Sequence, residues 1–149
     1  MNKTYYLSTR MQRLIASIID GLSLLVVVLP LMYFIETPSI SDNILDLLLY
    51  GLFFSIVCIA FFLLINYKFL VNDGQTIGKK ILKIKIVNLE GDVPSKKSLL
   101  MRYGVYFLLQ NIPFIGYILN LLNILFIFGK DKRCGHDYIA KTIVIKSNI

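Results

Sequence analysis

Apolar positions along this chain fall into three long blocks, and each block is interrupted by a few polar residues at helical spacing. The first block, 14–35, holds one charged residue, Asp20, and is long enough to cross a bilayer as a helix. The second, 44–67, is similar, with Asp46 near its start and Asn66 near its end. The pattern predicts helices over 8–35 and 42–67, joined by a short polar link containing Glu36, Pro38 and Asp42. Ser41 or Asp42 is the expected cap of the second helix. Pro30 lies inside the first and is a candidate kink.

In the first helix Arg13, Ala16, Ser17, Asp20 and Ser23 follow i, i+3, i+4, i+7 spacing and so share one side. Arg13 and Asp20 lie about 10 Å apart along the axis. A carboxylate in an apolar span is costly and marks a functional site or a buried partner. In the second helix Ser55, Cys58, Phe62 and Asn66 form a weaker stripe, of the kind membrane helices place between one another.

The segment 68–98 is soluble in character. Ile81 to Val87 alternates apolar and basic residues, which predicts a strand, and Glu90-Gly91 supplies a turn. Thr142 to Lys146 alternates similarly. The two strands are expected to pair, with Ile84 and Ile86 near Val144, because neither is stable alone. Between them lies a third apolar block, 99–128, containing Arg102 and Pro113. Pro113 and Gly116 divide it into stretches of about 20 Å each, too short for the ~30 Å hydrocarbon core. A re-entrant hairpin or two short tilted helices is the expectation; a surface helix followed by one crossing is the alternative. Gln110, Asn111, Asn120 and Asn123 bring amides that need partners inside a bundle. No internal repeat is legible. The fold class that follows is an all-α integral membrane bundle with a small β-strand pair, forming a single domain over 1–149.

Composition supports this reading: 56% of residues are hydrophobic and mean hydropathy is +0.70. Net charge is +7, and all 16 Lys and Arg fall in three groups, at 3–13, 68–102 and 130–146. The link between the first two helices has none. The positive-inside rule places both termini and the middle segment in the cytoplasm, in a plasma-membrane protein. The same charge distribution accounts for the basic balance without nucleic acid, and it suits anionic lipid headgroups, which Lys79 and Lys80 are expected to meet. No cleavable signal peptide is expected, because the first apolar block is too long for one. Cys58 and Cys134 do not form a disulfide framework.

Asp73-Gly74-Gln75-Thr76-Ile77-Gly78-Lys79-Lys80 approaches a phosphate-binding loop but has the wrong spacing and lacks the Ser or Thr after its first Lys. It is read instead as a glycine-punctuated turn. Cys134-Gly135-His136-Asp137 lacks a second ligand pair, so no metal or other cofactor is expected. His136, the lone histidine, is a conceivable pH sensor. Asp137 taken by itself reads as a solvated surface ion pair.

These motifs in this order resemble the RDD family of membrane proteins: Arg13-x6-Asp20, Gly74-Gln75-Thr76-Ile77-Gly78-Lys79-Lys80, Glu90-Gly91-Asp92, Arg102, and Arg133-Cys134-Gly135-His136-Asp137 leading to Lys141-Thr142-Ile143-Val144. That family is named for one arginine and two aspartates, which carry over to Arg13, Asp20 and Asp137. Lys141 stands where members often carry glycine. The resemblance covers about 6–146 and implies transport of an unidentified ligand. Cation/proton exchange is then the expected activity, with Asp20 as the exchanging carboxylate. Arg13 is placed at the cytoplasmic mouth, pairing with Asp137, and Arg102 is the expected counter-charge for Asp20. Ser17, Asn66, Gln110, Asn120 and Asn123 form a secondary polar seam. So small a chain has little room for an enclosed path, so a homo-oligomer or larger membrane complex is implied. The rival expectation is a scaffold or accessory subunit whose charged residues only lock the bundle. Nothing points to an enzyme: there is no nucleophile elbow and no HExxH.

Overall fold

The computed structural model describes residues 5–34, 43–112 and 115–147, without the side chains of residues 110 and 117. Helices α1 (Arg10–Phe34) and α2 (Ile44–Asp73) are the two long elements, of 25 and 30 residues, and both are long and apolar enough to cross a bilayer. Their apolar side chains stay exposed: Leu22, Val26 and Leu29 on α1, and Leu48, Leu52 and Ile56 on α2. A soluble core helix would bury these residues; here they line the outside of both helices as apolar surface. Helix α1 continues through Pro30. The link at 35–42, with the expected caps Ser41 and Asp42, lies outside the described residues, and Asn43 occupies the cap position of α2.

Helix α2 runs six residues past the expected end at 67. No breaker intervenes before Gly74, and Leu70, one turn after Asn66, is buried like it. Gly74 ends the helix in the left-handed conformation at φ 66°, where glycine is free of strain. A Cβ there would strike the Ile86 carbonyl.

The expected strand at 81–87 is shifted. The motif read as a turn forms a short helix, α3 (Ile77–Ile81), capped by Thr76, and Ile81 belongs to it. Strand β1 (Ile84–Asn88) follows, and pairs antiparallel with β2 (Thr142–Lys146). Ile86 stands opposite Val144 and Ile84 opposite Lys146, as the alternation implied. Neither ribbon edge is left open. The Gly74 carbonyl accepts from Ile86 N (2.7 Å), while Ser8 N donates to Val144 O (3.1 Å) on the far side. Ile84, Ile86 and Val144 pack with Ala16, Leu70 and Leu99 into one core.

Helices α4 (Lys96–Gln110) and α5 (Gly116–Leu125), the latter extended by a 3-10 turn at Phe126–Phe128, form the second hairpin. It starts and finishes at the ribbon end, since Arg102 meets Asp137 and Asn123 meets His136 there. The expected pair of short helices is observed, although Pro113 lies outside the described residues. From Arg102, α4 runs on for only about 12 Å, against about 21 Å for α1 from Asp20 to Phe34.

The chain thus repeats itself in structure where its sequence shows no repeat. A helical hairpin leads to a five-residue helix, two linking residues and a five-residue strand; α6 (Gly135–Ile139) and β2 then reproduce α3 and β1. The second linking residue is left-handed in both halves: Lys83 at φ 51° and Lys141 at φ 52°. Pairing of β1 with β2 from first residue to last places a pseudo-two-fold through Ile86 and Val144. The repeat escapes the sequence because Ile77-Gly-Lys-Lys-Ile and Gly135-His-Asp-Tyr-Ile share little but length.

Candidate functional site

Two buried ionic clusters lie where the helices meet the ribbon. Asp20, nearly three turns into α1, faces α3 because the helices approach closely: a Cβ on Gly78 would fall on the Ala16 carbonyl. Asp20 Oδ1 accepts from Gly78 N (2.8 Å), and Oδ2 accepts from the Thr76 hydroxyl (2.6 Å). Lys79 Nζ stands 3.7 Å from Oδ2 and donates to Thr76 Oγ1 at 3.2 Å. Asn66 completes the cluster from α2, its Oδ1 accepting from Ile77 N at 2.9 Å. The first three amides of α3 are therefore met by Asn66, Asp20 and Thr76.

The second cluster centres on Asp137, whose side chain is fully buried. Its Oδ2 accepts from Arg13 Nη1 (3.1 Å) and Cys134 N (2.9 Å), and its Oδ1 accepts from Arg102. Arg13 also donates to Ser8 Oγ (2.8 Å) and to Val144 O (3.2 Å); Arg102 donates to Thr142 Oγ1 (2.8 Å). Asn123 supports α6 from below, its Oδ1 accepting from His136 N at 2.7 Å. It parallels Asn66.

Electrostatics separate the clusters. Burial lowers the Lys79 ammonium to about 8; Asp20 and Asp137 oppose that shift, and Arg102 and Arg13 add to it. Burial would raise Asp137, but Arg102 first, then His136 and Arg13, outweigh it and hold the carboxyl at about 2. His136 is pushed to about 3 by burial and by Arg102. It stays neutral at physiological pH, so the pH-sensor reading fails. Burial also raises the Cys134 thiol.

Arg13 pairs with Asp137 as expected, but three other expectations are corrected. Arg102 serves Asp137, not Asp20, because α4 packs on α6 while α3 occupies the Asp20 side of α1. Asp137 is no surface ion pair. Lys79 turns inward to Asp20, and only Lys80 is exposed, lying over the Phe69 ring at 4.2 Å. Of the secondary seam, Asn66 and Asn123 are buried. Asn120 accepts from Asn123 at 3.4 Å. Ser17 is exposed and bonds its own Leu14 carbonyl, as its place one residue past Ala16 turns it off the packed face. The Gln110 side chain is outside the described structure. Asn111 meets Ser55 of α2 (2.7 Å), and Phe62 meets Tyr103 of α4, so the α2 stripe is a packing seam.

Sequence reasoning missed Thr76, Gly78 and Lys79. A threonine directly before a short apolar-basic run was the available signal for a helix cap. Cys134, His136 and Asp137 present ligand-type atoms within 4.8 Å of one another. Both Asp137 oxygens already accept hydrogen bonds, from Arg13, Cys134 N and Arg102.

The model of the RDD family covers residues 7–141, from the segment beside β2 to the end of the second linker. The chain belongs to the RDD family. It is similar to a Bacillus subtilis (strain 168) protein described as "Uncharacterized protein YxaI", 40% identical over 70 residues. That stretch is 47% of this chain and 42% of the relative. No solved structure matches. Within the RDD domain, the arginine and second aspartate bond directly, while the first aspartate holds the separate α3 cluster.

Proposed function

We propose that this RDD protein is a multi-pass membrane protein that exchanges a monovalent cation for a proton at the Asp20–Lys79 pair. The observation that carries the reading is a buried carboxylate paired with an amine that titrates near physiological pH, at the base of two apolar helices. When the Lys79 ammonium releases its proton to water, the amine no longer neutralises Asp20. A cation M⁺ then takes the ammonium's place on the carboxylate. Reprotonation of Lys79 expels M⁺. One proton leaves as one cation enters, so the charge of the site is constant. Asp137, held by two guanidiniums, stays ionised and serves as a fixed joint.

Both hairpins begin and end at the ribbon, and the lysines gather there. The ribbon end therefore faces the cytoplasm of a plasma-membrane protein, with both termini inside and the exposed lysines against anionic headgroups. The short second hairpin is re-entrant, and a second copy of the chain completes the path.

One observation favours a second reading, a scaffold without transport. Asn66, Asp20 and Thr76 together satisfy the opening amides of α3, which suits a structural clamp.

The test uses purified protein in proteoliposomes with an internal pH dye and Na⁺, K⁺ or Li⁺ pulses. Exchange predicts flux in the wild type and none in Asp20→Asn or Lys79→Arg, since an arginine keeps its proton. A folded wild type without flux would leave the scaffold reading.

A further inference from the structure

We propose that the Thr76 hydroxyl is a ligand of the exchanged cation, holding it together with the Asp20 carboxylate where the Lys79 ammonium stands. The inference rests on the exchange reading and names the second oxygen of its site. A protonated lysine is a cation tethered to the chain, so the oxygens it touches are those a free cation would inherit. Among the described residues Lys79 Nζ meets two such oxygens, Thr76 Oγ1 at 3.2 Å and Asp20 Oδ2 at 3.7 Å. The other Asp20 oxygen, Oδ1, is committed to Gly78 N at 2.8 Å.

A hydroxyl has one proton to donate and two lone pairs with which to accept. All three are engaged at Thr76, which is fully buried. The proton goes to Asp20 Oδ2 at 2.6 Å. One lone pair caps α3 by accepting from Lys79 N at 3.4 Å, and the other accepts from Lys79 Nζ. Exchange therefore disturbs neither the bond to Asp20 nor the cap. As the neutral amine swings aside on its flexible stem, the second lone pair passes from the ammonium to M⁺.

The second half has a comparable hydroxyl that cannot serve in this way. Thr142 Oγ1 accepts from Arg102 Nη1 at 2.8 Å and lies 3.5 Å from Asp137 Oδ1, so it too stands between a carboxylate and a cation. A guanidinium keeps its proton, so this hydroxyl never changes partner. Of the two cations only the lysine can be discharged, and Thr76 faces it. The donor set is then a carboxylate and an alcohol, both hard oxygens, which suit an alkali cation and not a soft metal. One carboxylate balances one positive charge, so the site is fitted to a monovalent ion.

The experiment compares full-length wild type with Thr76→Ser, Thr76→Val and Thr76→Cys. Serine keeps the hydroxyl, valine removes it, and cysteine replaces its oxygen with sulfur, a poor ligand for alkali cations. Cysteine also keeps a cap on α3, as Cys134 does on α6, so it is the variant to read if valine does not fold. Two quantities are measured: the KM for Na⁺ of proton flux in proteoliposomes, and the shift in melting temperature in detergent caused by NaCl relative to choline chloride. The shift is read at pH 9, above the Lys79 value of about 8. The expected result is a KM raised about tenfold in Thr76→Cys and Thr76→Val, with loss of the Na⁺-specific thermal shift, and a KM within about twofold of wild type in Thr76→Ser. A wild-type KM and thermal shift in Thr76→Cys would overturn the assignment and leave exchange standing. Equal losses in Thr76→Ser would overturn it too, because packing and not the hydroxyl would then be the cause. A Na⁺-specific shift in wild type that Thr76→Cys abolishes, with no flux in either, would keep the site and overturn exchange. Neither flux nor shift in wild type would overturn both.

Discussion

Lys79 and Asp137 occupy the same third position of two equivalent short helices, and they carry opposite charge. Each is met by a residue of opposite sign from the first helix of its own half, Asp20 or Arg102. The halves are thus alike in backbone and reversed in charge. Their partners are unequal as well. Asp137 is held by two arginines, Lys79 by one carboxylate at 3.7 Å. The second half is built as a joint and the first as the looser contact.

The joint predicts a large cost for removing one partner. Arg102→Met leaves Asp137 buried with only Arg13 beside it. Breaking a buried pair in this way costs about 3–5 kcal/mol. Thermal melting in detergent should show a fall of many degrees, larger than for Asp20→Asn, which keeps an oxygen to accept from Gly78. A smaller fall for Arg102→Met than for Asp20→Asn would contradict the ranking.

Acid should loosen the same joint. Asp137 sits at about 2 in the folded chain, below its ordinary 3.8. The unfolded chain takes up that proton first, so the contribution, about 2 kcal/mol, is complete above pH 4 and lost as pH falls towards 2. His136 adds in the same direction. Its folded value of about 3 lies under the usual 6.5, so its contribution is lost between pH 6.5 and 3. Melting temperature should therefore decline from pH 6.5 downward, and His136→Gln should flatten the upper part of that decline.

How much of this was legible depends on what each residue had to face. Arg13 and Asp20 announced themselves, because a charge inside an apolar block has few explanations. The ribbon was legible from alternation at 84–87 and 142–146, and Arg13 with Asp137 from the family pattern. The true partner of Asp20 was not. Lys79 sits 59 positions away in a stretch rich in glycine, and only the close approach of α1 and α3 turns it inward. Arg102 was misassigned for the same reason: depth along a helix was readable, but the side on which α6 packs was not. The repeat is hidden because its equivalent positions conserve backbone geometry, and opposite charges at Lys79 and Asp137 erase the likeness in side chains.

The α1–α3 contact should tolerate no added atom. Gly78→Ala places a methyl on the Ala16 backbone carbonyl, which has no rotamer to move. Over-packing of this kind costs about 1–3 kcal/mol or more, and here it also draws Gly78 N away from Asp20. Melting temperature and flux should fall together in Gly78→Ala, whereas Gly104→Ala, which meets nothing within 4 Å, should leave both alone.

The left-handed lysines point the other way, to easy stabilisation. Lys141 adopts φ 52°, and Lys83 adopts φ 51° at the matching site of the first half. A non-glycine residue in this region bears about 1–2 kcal/mol of strain, partly offset by the greater freedom of glycine when unfolded. Lys141→Gly and Lys83→Gly should each raise stability, by up to about 1 kcal/mol, and by similar amounts because the two sites are equivalent. Their effects should add, since the lysines occupy separate turns that share no partner. Denaturant melts of the two single variants and the double variant would check this. A loss of stability in either single variant would mean that the lysine side chain contributes more than its backbone costs.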